Sequence, residues 1–251
     1  MSDRKRFSDA AAIISGGAGG MGRAVAQRLA DEGAKVLIAD LDGSAAEEQA
    51  RAIGGHAAQL DVTDAASWEA CVERAEELLG PISVLVNAAG IFSLGSIFDT
   101  SAEDWKRSIA INLEGTYLGC RAALPSLRRA EGGAIVNIAS TSGIQGDPRT
   151  VAYDAGKAGV RALTKEIAVH CARQGYAVRC NSVHPGATQT PMLDDIASQF
   201  PNLYADWGPK YSPFGRVAKP TEIGSLVAFL ASPDASFITG SAYVIDGGAT
   251  A

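Results

Sequence analysis

Histidine and cysteine are scarce in this chain, with three of one and four of the other in 251 residues. Cys71, Cys120, Cys171 and Cys180 make no C-x-x-C pair, and His56, His170 and His184 make no H-x-x-x-H spacing. The expectation is therefore no disulfide framework, no metal-dependent chemistry, and reduced, partly buried thiols. Apolar runs of membrane-spanning length are missing too. The polar stretch 1–9, with Arg4, Lys5 and Arg6, leads into no apolar signal core, so a cytoplasmic protein with no membrane partner is expected. Positive charge is in deficit, 22 Lys and Arg against 28 Asp and Glu, for a net charge of −6 and a pI near 5.1. That balance disfavours a nucleic-acid partner. No internal repeat, low-complexity tract or linker divides the sequence, which predicts one domain over 1–251 with a sizeable core.

Glycine, in contrast, is plentiful at 28 residues, and its placement is informative. The apolar run Ala11-Ala12-Ile13-Ile14 suits a buried parallel strand. It leads straight into Ser15-Gly16-Gly17-Ala18-Gly19-Gly20-Met21-Gly22 and then a helical stretch from Arg23 to Glu32. Strand, glycine turn and helix together aim backbone N–H groups and the positive end of a helix dipole at a pyrophosphate. Gly17, Gly19 and Gly22 fit G-x-G-x-x-G, while Gly16, Gly20 and Gly22 fit G-x-x-x-G-x-G; both spacings put the ligand at the same helix end. A merely flexible glycine loop is the alternative.

The next strand, 34–39, ends at Asp40, eighteen residues past Gly22. A carboxylate there accepts hydrogen bonds from the adenosine ribose and repels a 2′-phosphate, which selects NAD(H) over NADP(H). Asp40 also fits the start of a turn with Asp42-Gly43. Further apolar runs at 84–86, 134–138 and 177–183 alternate with helical stretches, so the chain reads as α/β with repeated βα units and a parallel sheet. The stretch 67–79 reads as a surface helix stopped by Gly80-Pro81. Two long stretches, 105–129 and 152–174, are apolar on more than one side and call for a second packing partner.

Within Ala-Tyr-Asp-Ala-Gly-Lys, Tyr153 and Lys157 stand four residues apart, and Ser140 precedes the tyrosine by thirteen. Helical spacing puts the ammonium beside the phenol ring. A neighbouring cation favours phenolate; lowering a pKa of about 10 by ~3 units takes about 4 kcal/mol and poises the group near neutrality.

These motifs together resemble the short-chain dehydrogenase/reductase family, of the single-domain type, from the glycine turn to Asp246-Gly247-Gly248. The resemblance implies a Rossmann-type doubly wound parallel sheet of about seven strands, with helices on both faces and a substrate lid around 190–216. It implies a catalytic set of Asn112, Ser140, Tyr153 and Lys157. Ser140 would bind the substrate oxygen, Tyr153 would exchange the hydroxyl proton, Lys157 would bind the nicotinamide ribose and lower the tyrosine pKa, and Asn112 would hold a water in the proton path. Cofactor contacts would come from Ser15, Gly16, Gly19, Gly20, Met21, Gly22, Asp40, Leu41, Asp61, Val62, Asn87, Ala88, Ala89, Gly90, Tyr153, Lys157, Pro185, Gly186, Thr188, Thr190 and Met192. The long helices pack between subunits in that family, so a homotetramer is expected. From the residues alone, Asn112 also fits a helix-interior asparagine bonded to nearby main chain, and Ser140 a strand-end turn.

Three positions depart from the family pattern: Ala88 for a second asparagine, Ser15 for threonine and Gly156 for serine. They are expected to alter local stability, not chemistry. Gly146-Asp147-Pro148, Val178-Arg179-Cys180-Asn181 and His184-Pro185-Gly186 are similar to bacterial secondary-alcohol and hydroxysteroid dehydrogenases. Phe200, Tyr204, Trp207, Tyr211 and Phe214 crowd the lid and suggest an apolar cyclic or aryl alcohol or ketone, or else simple packing. Substrate contacts are expected from Ser140, Ile91, Phe92, Ile144, Gln145, Tyr153 and Trp207. Lys210 and Arg216 are the only cations noted near these segments, which disfavours phosphorylated or acyl-carrier substrates. Two other functions stay open: a 3-oxoacyl-thioester reductase, and an NAD-sensing binder without turnover.

Overall fold

A computed structural model describes residues 5–251, apart from the side chain of Leu203; residues 1–4, part of the single-domain expectation, lie outside it. Seven parallel strands form one sheet. They are β1 (Ala11–Ser15), β2 (Lys35–Asp40), β3 (His56–Gln59), β4 (Val84–Asn87), β5 (Gly133–Ile138), β6 (Val178–Pro185) and β7 (Ala242–Ile245). Their order is β3-β2-β1-β4-β5-β6-β7, so the winding reverses between β1 and β4. That reversal opens a crevice at the carboxyl ends of the strands, the usual ligand position in doubly wound sheets.

Alternation along each strand builds a core on both faces. Ile14, Ile38, Val86 and Val136 face one way and pack with Val25, Leu29 and Val227. Their neighbours Ile13, Leu37, Leu85 and Ile135 face the other way, onto Trp68, Cys71, Leu118 and Leu127. Each such buried side chain contributes roughly 1.5–3 kcal/mol. The first face is covered by α1 (Gly20–Asp31) and α9 (Pro220–Ala231), the second by α3 (Ala65–Leu79), α5 (Gly115–Leu127) and α6 (Val151–Arg173), while α2 (Gly43–Ile53) lies against β2 and β3. Local chemistry sets the helix ends. Asp42 and Asp64 cap α2 and α3 by accepting main-chain N–H bonds, and Gly54 closes α2 in the left-handed region.

The stretch from 105 to 129 differs from the single helix expected. It begins earlier, as α4 (Ala102–Ile109), passes through a π-helical turn (Ala110–Glu114), and resumes as α5. The wide turn carries Asn112, and such turns favour functional positions because they free the regular bonding pattern. Helix α1 also starts three residues before Arg23, inside the glycine segment, with Gly19 as its cap. Over the carboxyl edge lie α7 (Pro191–Gln199) and α8 (Pro201–Trp207), which occupy the expected lid. No helix among the described residues is long and apolar enough to cross a membrane.

Candidate active site

The glycine turn is fixed by contacts that exclude side chains. Gly16 has φ +63, and a Cβ on it would stand 2.7 Å from the Ala89 main chain. A Cβ on Gly22 would meet the Gly16 carbonyl oxygen at 2.1 Å. Gly19, the cap of α1, has open space beside it. So β1, α1 and the β4 end converge tightly around exposed N–H groups, leaving room only where an anion would enter. At the end of β2, Asp40 accepts from Ala18 N (3.1 Å) and, less closely, from Asp42 N (3.3 Å). Its turn role is thus realised, and its carboxylate is held against the glycine turn. A nicotinamide dinucleotide fits this donor set: bare N–H groups for phosphate and a carboxylate for hydroxyls.

Other expected cofactor residues divide by orientation. Met21, Pro185, Gly186, Thr188, Thr190 and Met192 line one continuous cavity with Ser140 and Tyr153. Leu41 is exposed after β2, its carbonyl accepting from Gln59. Asp61 is exposed and accepts from Thr63, which lowers its pKa, while Val62 packs against Gly115. The side chains of Ser15 and Asn87 do not face the crevice. Ser15 is buried and accepts from Ala88 N and Ala89 N, tying β1 to the β4 turn. Asn87 points into the second core and donates to Asn137 Oδ1 (2.9 Å), because strand alternation sends it to that face. That bond ties β4 to β5 although Ala88 carries no amide.

The four expected catalytic residues come together from three elements. Ser140, at the end of β5, accepts from Ser142 N (3.1 Å), so the strand-end turn exists. It leaves the hydroxyl proton free to donate. Lys157 is buried on α6, and its Nζ donates to Ile138 O (3.0 Å) and stands 5.8 Å from the Tyr153 ring centroid. A Cβ on Gly90 would meet Asn112 Oδ1 at 2.9 Å and Lys157 Nζ at 3.2 Å, so this glycine lets the π turn and α6 approach each other. Asn112 is fully buried and grips the Ile91 main chain at both ends, accepting from Ile91 N (3.1 Å) and donating to Ile91 O (3.0 Å). The main-chain pairing read from the residues is therefore what its side chain does.

The electrostatics depart from expectation at the tyrosine. Burial pushes the Tyr153 phenol up to about 12; the Ser140 hydrogen bond opposes this and the charge of Asp154 adds to it. Burial also pulls the Lys157 pKa down to about 8, and its ammonium is bonded to a carbonyl. His184, missed as a site residue, is buried, with its pKa lowered by desolvation. Nδ1–H donates to Ser140 O (2.8 Å) and Nε2 accepts from Ser182 (2.9 Å), so the neutral ring braces the serine.

The cavity measures 520 Å³ and extends from Met21 to the lid residues Leu193, Ile196 and Trp207. Phe92 packs edge-on to Tyr153 (5.2 Å) and to Trp207 (5.6 Å). Gln145 and Tyr211 are hydrogen-bonded and also line it. Two expected substrate residues lie beside this cavity, not on its lining, although Phe92, Met192 and Ile196 border both it and the neighbouring hollow. Ile144 ends the short turn after Ser140 and points to solvent, and Ile91 lines a neighbouring cavity with Phe200 because Asn112 holds its main chain. The aromatics split likewise: Trp207 and Tyr211 face the cavity, whereas Phe214 is exposed. Charge was underestimated, because Asp147 and Arg149 enter from the loop between Ser140 and Tyr153, and Asp206 from the lid. Their place between two site residues was the available signal.

A family model described as enoyl-(acyl carrier protein) reductase matches residues 16–250. The trans-4-hydroxycyclohexanecarboxylate dehydrogenase of Sinomonas cyclohexanicum is 44% identical, over 98% of this chain and 95% of its own length. The chain belongs to the short-chain dehydrogenase/reductase family. Within it, the chain is also 36% identical to an NADP-dependent (R)-specific alcohol dehydrogenase of Lentilactobacillus kefiri, over 98% of each. It is 40% identical to a cyclopentanol dehydrogenase of Comamonas testosteroni, over 98% of this chain and 99% of that one. Among solved structures, the ligand-free aldohexose dehydrogenase of Thermoplasma acidophilum superposes with a TM-score of 0.87 at 36% identity, covering 97% of this chain and 96% of that one. As a family member the protein is an oxidoreductase that interconverts alcohols and ketones with a nicotinamide cofactor.

Proposed function

We propose that the protein uses NAD(H) and acts on a ring-bearing secondary alcohol or its ketone, in the cavity between Ser140, Tyr153 and the lid. The observation that carries this is the shared wall: Tyr153 and Ser140 open into a 520 Å³ space faced by Phe92 and Trp207, beside the glycine turn. Flat apolar rings match an alicyclic or aryl face. Relatives named for cyclohexanecarboxylate, cyclopentanol and hydroxysteroid substrates support a ring.

Bound nicotinamide supplies the hydride acceptor or donor. Ser140, with its lone pair engaged by Ser142 N, donates its O–H to the substrate oxygen and holds it beside the phenol. Tyr153 takes the alcohol proton in oxidation and returns it in reduction. The oxidised cofactor, when bound, would supply positive charge that favours the phenolate of Tyr153 against its burial. Lys157, anchored on Ile138 O, keeps N–H groups for the nicotinamide ribose. Asn112 sets the Gly90–Ile91 backbone beside that ammonium, where a water carries the proton outward. Proton transfer of this kind contributes on the order of 10²–10⁴ in rate.

NAD(H) is favoured by Asp40, whose carboxylate lies against the glycine turn at Ala18 N, where a 2′-phosphate would meet like charge. Absorbance at the reduced nicotinamide band, with cyclohexanols and cyclic ketones and both cofactors, tests the whole reading; no turnover with any ring substrate overturns it. A homotetramer is the matching assembly. Tyr117, Leu124, Leu163 and Ile167 line an apolar hollow of 330 Å³ across α5 and α6, suited to a second copy. Sedimentation showing a monomer at micromolar concentration would remove that part. Four unpaired cysteines fit the cytoplasm.

A further inference from the structure

The cavity holds a cation that the reaction just described does not use. Arg149 lies four residues before Tyr153, in the loop that leads into α6, and is positioned from several sides. Its Nε and Nη2 donate to Asp147 Oδ1 (2.8 Å) and Oδ2 (2.7 Å), and its main-chain N to Oδ1 (2.9 Å). Its main-chain oxygen accepts from Gly95 N (2.8 Å). The guanidinium carbon stands 4.9 Å from the Trp207 ring centroid, and Trp207 Nε1 donates to the same Asp147 Oδ2 (3.0 Å). A planar fork clamped along its Nε–Nη2 edge and set over an aromatic ring presents Nη1 in a fixed direction.

Nη1 donates to Asp206 Oδ2 (2.6 Å) on the lid. The two aspartates differ in standing. The Asp147 side chain is 20% exposed and has four donors from Arg149 and Trp207. The Asp206 side chain is 60% exposed, and among the described residues its one hydrogen-bonding or ionic partner is Arg149. An exposed pair of this kind adds little stability. Replacing Asp206 by another carboxylate leaves the charge around the guanidinium unchanged, one cation facing two anions.

We infer that Nη1 of Arg149 is a carboxylate subsite, and that the substrate is a cyclic secondary alcohol carrying an anionic carboxylate away from its carbinol carbon. This rests on the proposed function. The wall itself is graded: Tyr153, Phe92, Trp207 and then Arg149 follow one another at 5.2, 5.6 and 4.9 Å. A ring lying along Phe92 and Trp207 directs its hydroxyl to Ser140 and Tyr153 and its carboxylate toward the guanidinium. Asp206 is the group it displaces, and the lid accommodates the exchange by letting one exposed side chain go.

The test compares 4-hydroxycyclohexanecarboxylate and (4-hydroxycyclohexyl)acetate with the uncharged 4-methylcyclohexanol, using the full-length protein and NAD⁺. Wild type is expected to favour one of the carboxylates by tenfold or more in kcat/KM. Arg149→Gln should cut that ratio at least tenfold, chiefly through KM, and Arg149→Lys should recover part of it. Asp206→Asn, which removes the competing anion, should lower KM for the carboxylate. An equal loss on all three substrates in Arg149→Gln would mark a structural role and overturn the inference. So would turnover of 4-methylcyclohexanol alone in wild type, with carboxylates accepted only in Asp206→Asn, since Asp206 would then be silencing the cation. Failure with every alcohol while NADH still binds would count against the proposed function, and the subsite would fall with it.

Discussion

The two halves of the crevice are built in different ways. Around the glycine turn, the limits are set by main chain against main chain: a Cβ at Gly22 or Gly16 would strike carbonyl or amide atoms at 2.1 and 2.7 Å. Around the substrate cavity, the limits are set by side chains reaching across long loops. Arg149 meets Asp206 and Trp207 meets Asp147, pairs separated by 57 and 60 residues. Backbone cannot be exchanged without losing the shape, whereas side-chain clasps can be rewired one at a time. The first half suits one invariant ligand, and the second suits a specificity that varies among relatives.

Mutations can break this contrast. The largest effect is expected at the point where the halves meet: Tyr153→Phe should lower turnover by about 10²–10⁴ while NADH binding, followed by fluorescence titration, stays near wild type. Near-normal turnover would remove the phenol from the chemistry. Next comes Gly22→Ala, predicted to cost about 3 kcal/mol by overpacking the turn. Denaturant unfolding and NADH titration should both worsen; a mutant with unchanged stability would mean the turn yields more readily than its contacts imply. Asp40→Asn removes a charge without changing shape and should narrow the proposed NAD(H) preference by roughly tenfold, about 1.4 kcal/mol. An unchanged preference in kcat/KM would place cofactor choice elsewhere.

Two pH effects sharpen the same comparison. Ser140 holds the Tyr153 pKa below where burial alone would put it, so the residual oxidation rate of Ser140→Ala should have its pH profile displaced to higher pH. A profile that stays put would deny the hydrogen bond its role. The smallest effect is expected at the lid. Arg149 hydrogen bonds, followed by its charge, lower the Asp147 carboxyl below its ordinary 3.8. Its folded value is depressed, so the clasp contributes stability above that pH and loses it as pH falls below. The fluorescence difference between Trp105→Phe and Trp105→Phe/Trp207→Phe, which cancels the buried Trp68, should therefore change below about pH 4 before far-UV circular dichroism reports loss of the sheet. Simultaneous transitions would show that lid and sheet respond to acid as one unit.

Much of the fold was legible where a segment is buried on both faces. β1, β2, β4, β5 and β6 stand out as apolar runs because their neighbouring residues enter opposite cores. The edge strands β3 (His56–Gln59) and β7 (Ala242–Ile245) are only partly buried and carry weaker patterns. The π turn at Asn112 was not legible, since nothing in Ala-Ile-Asn-Leu-Glu separates it from an α-helix. Ser140, Tyr153 and Lys157 were found through their spacing. Arg149 and Asp206 were not, because their meeting depends on where the lid lies. Helical spacing reports the ammonium near Tyr153 but not the burial that raises its phenol pKa.

Sequence alone pointed to repeated βα units, the glycine bend after β1 and the Tyr153–Lys157 pair as candidate acid–base group. Each of these depends on residues close in the chain, through dihedral freedom, period-two burial and one-turn helical spacing. Tertiary structure alone decided which wall the lid completes, that a guanidinium enters it, and that burial raises the phenol pKa. Those outcomes depend on desolvation and on contacts between distant segments, which no local pattern encodes.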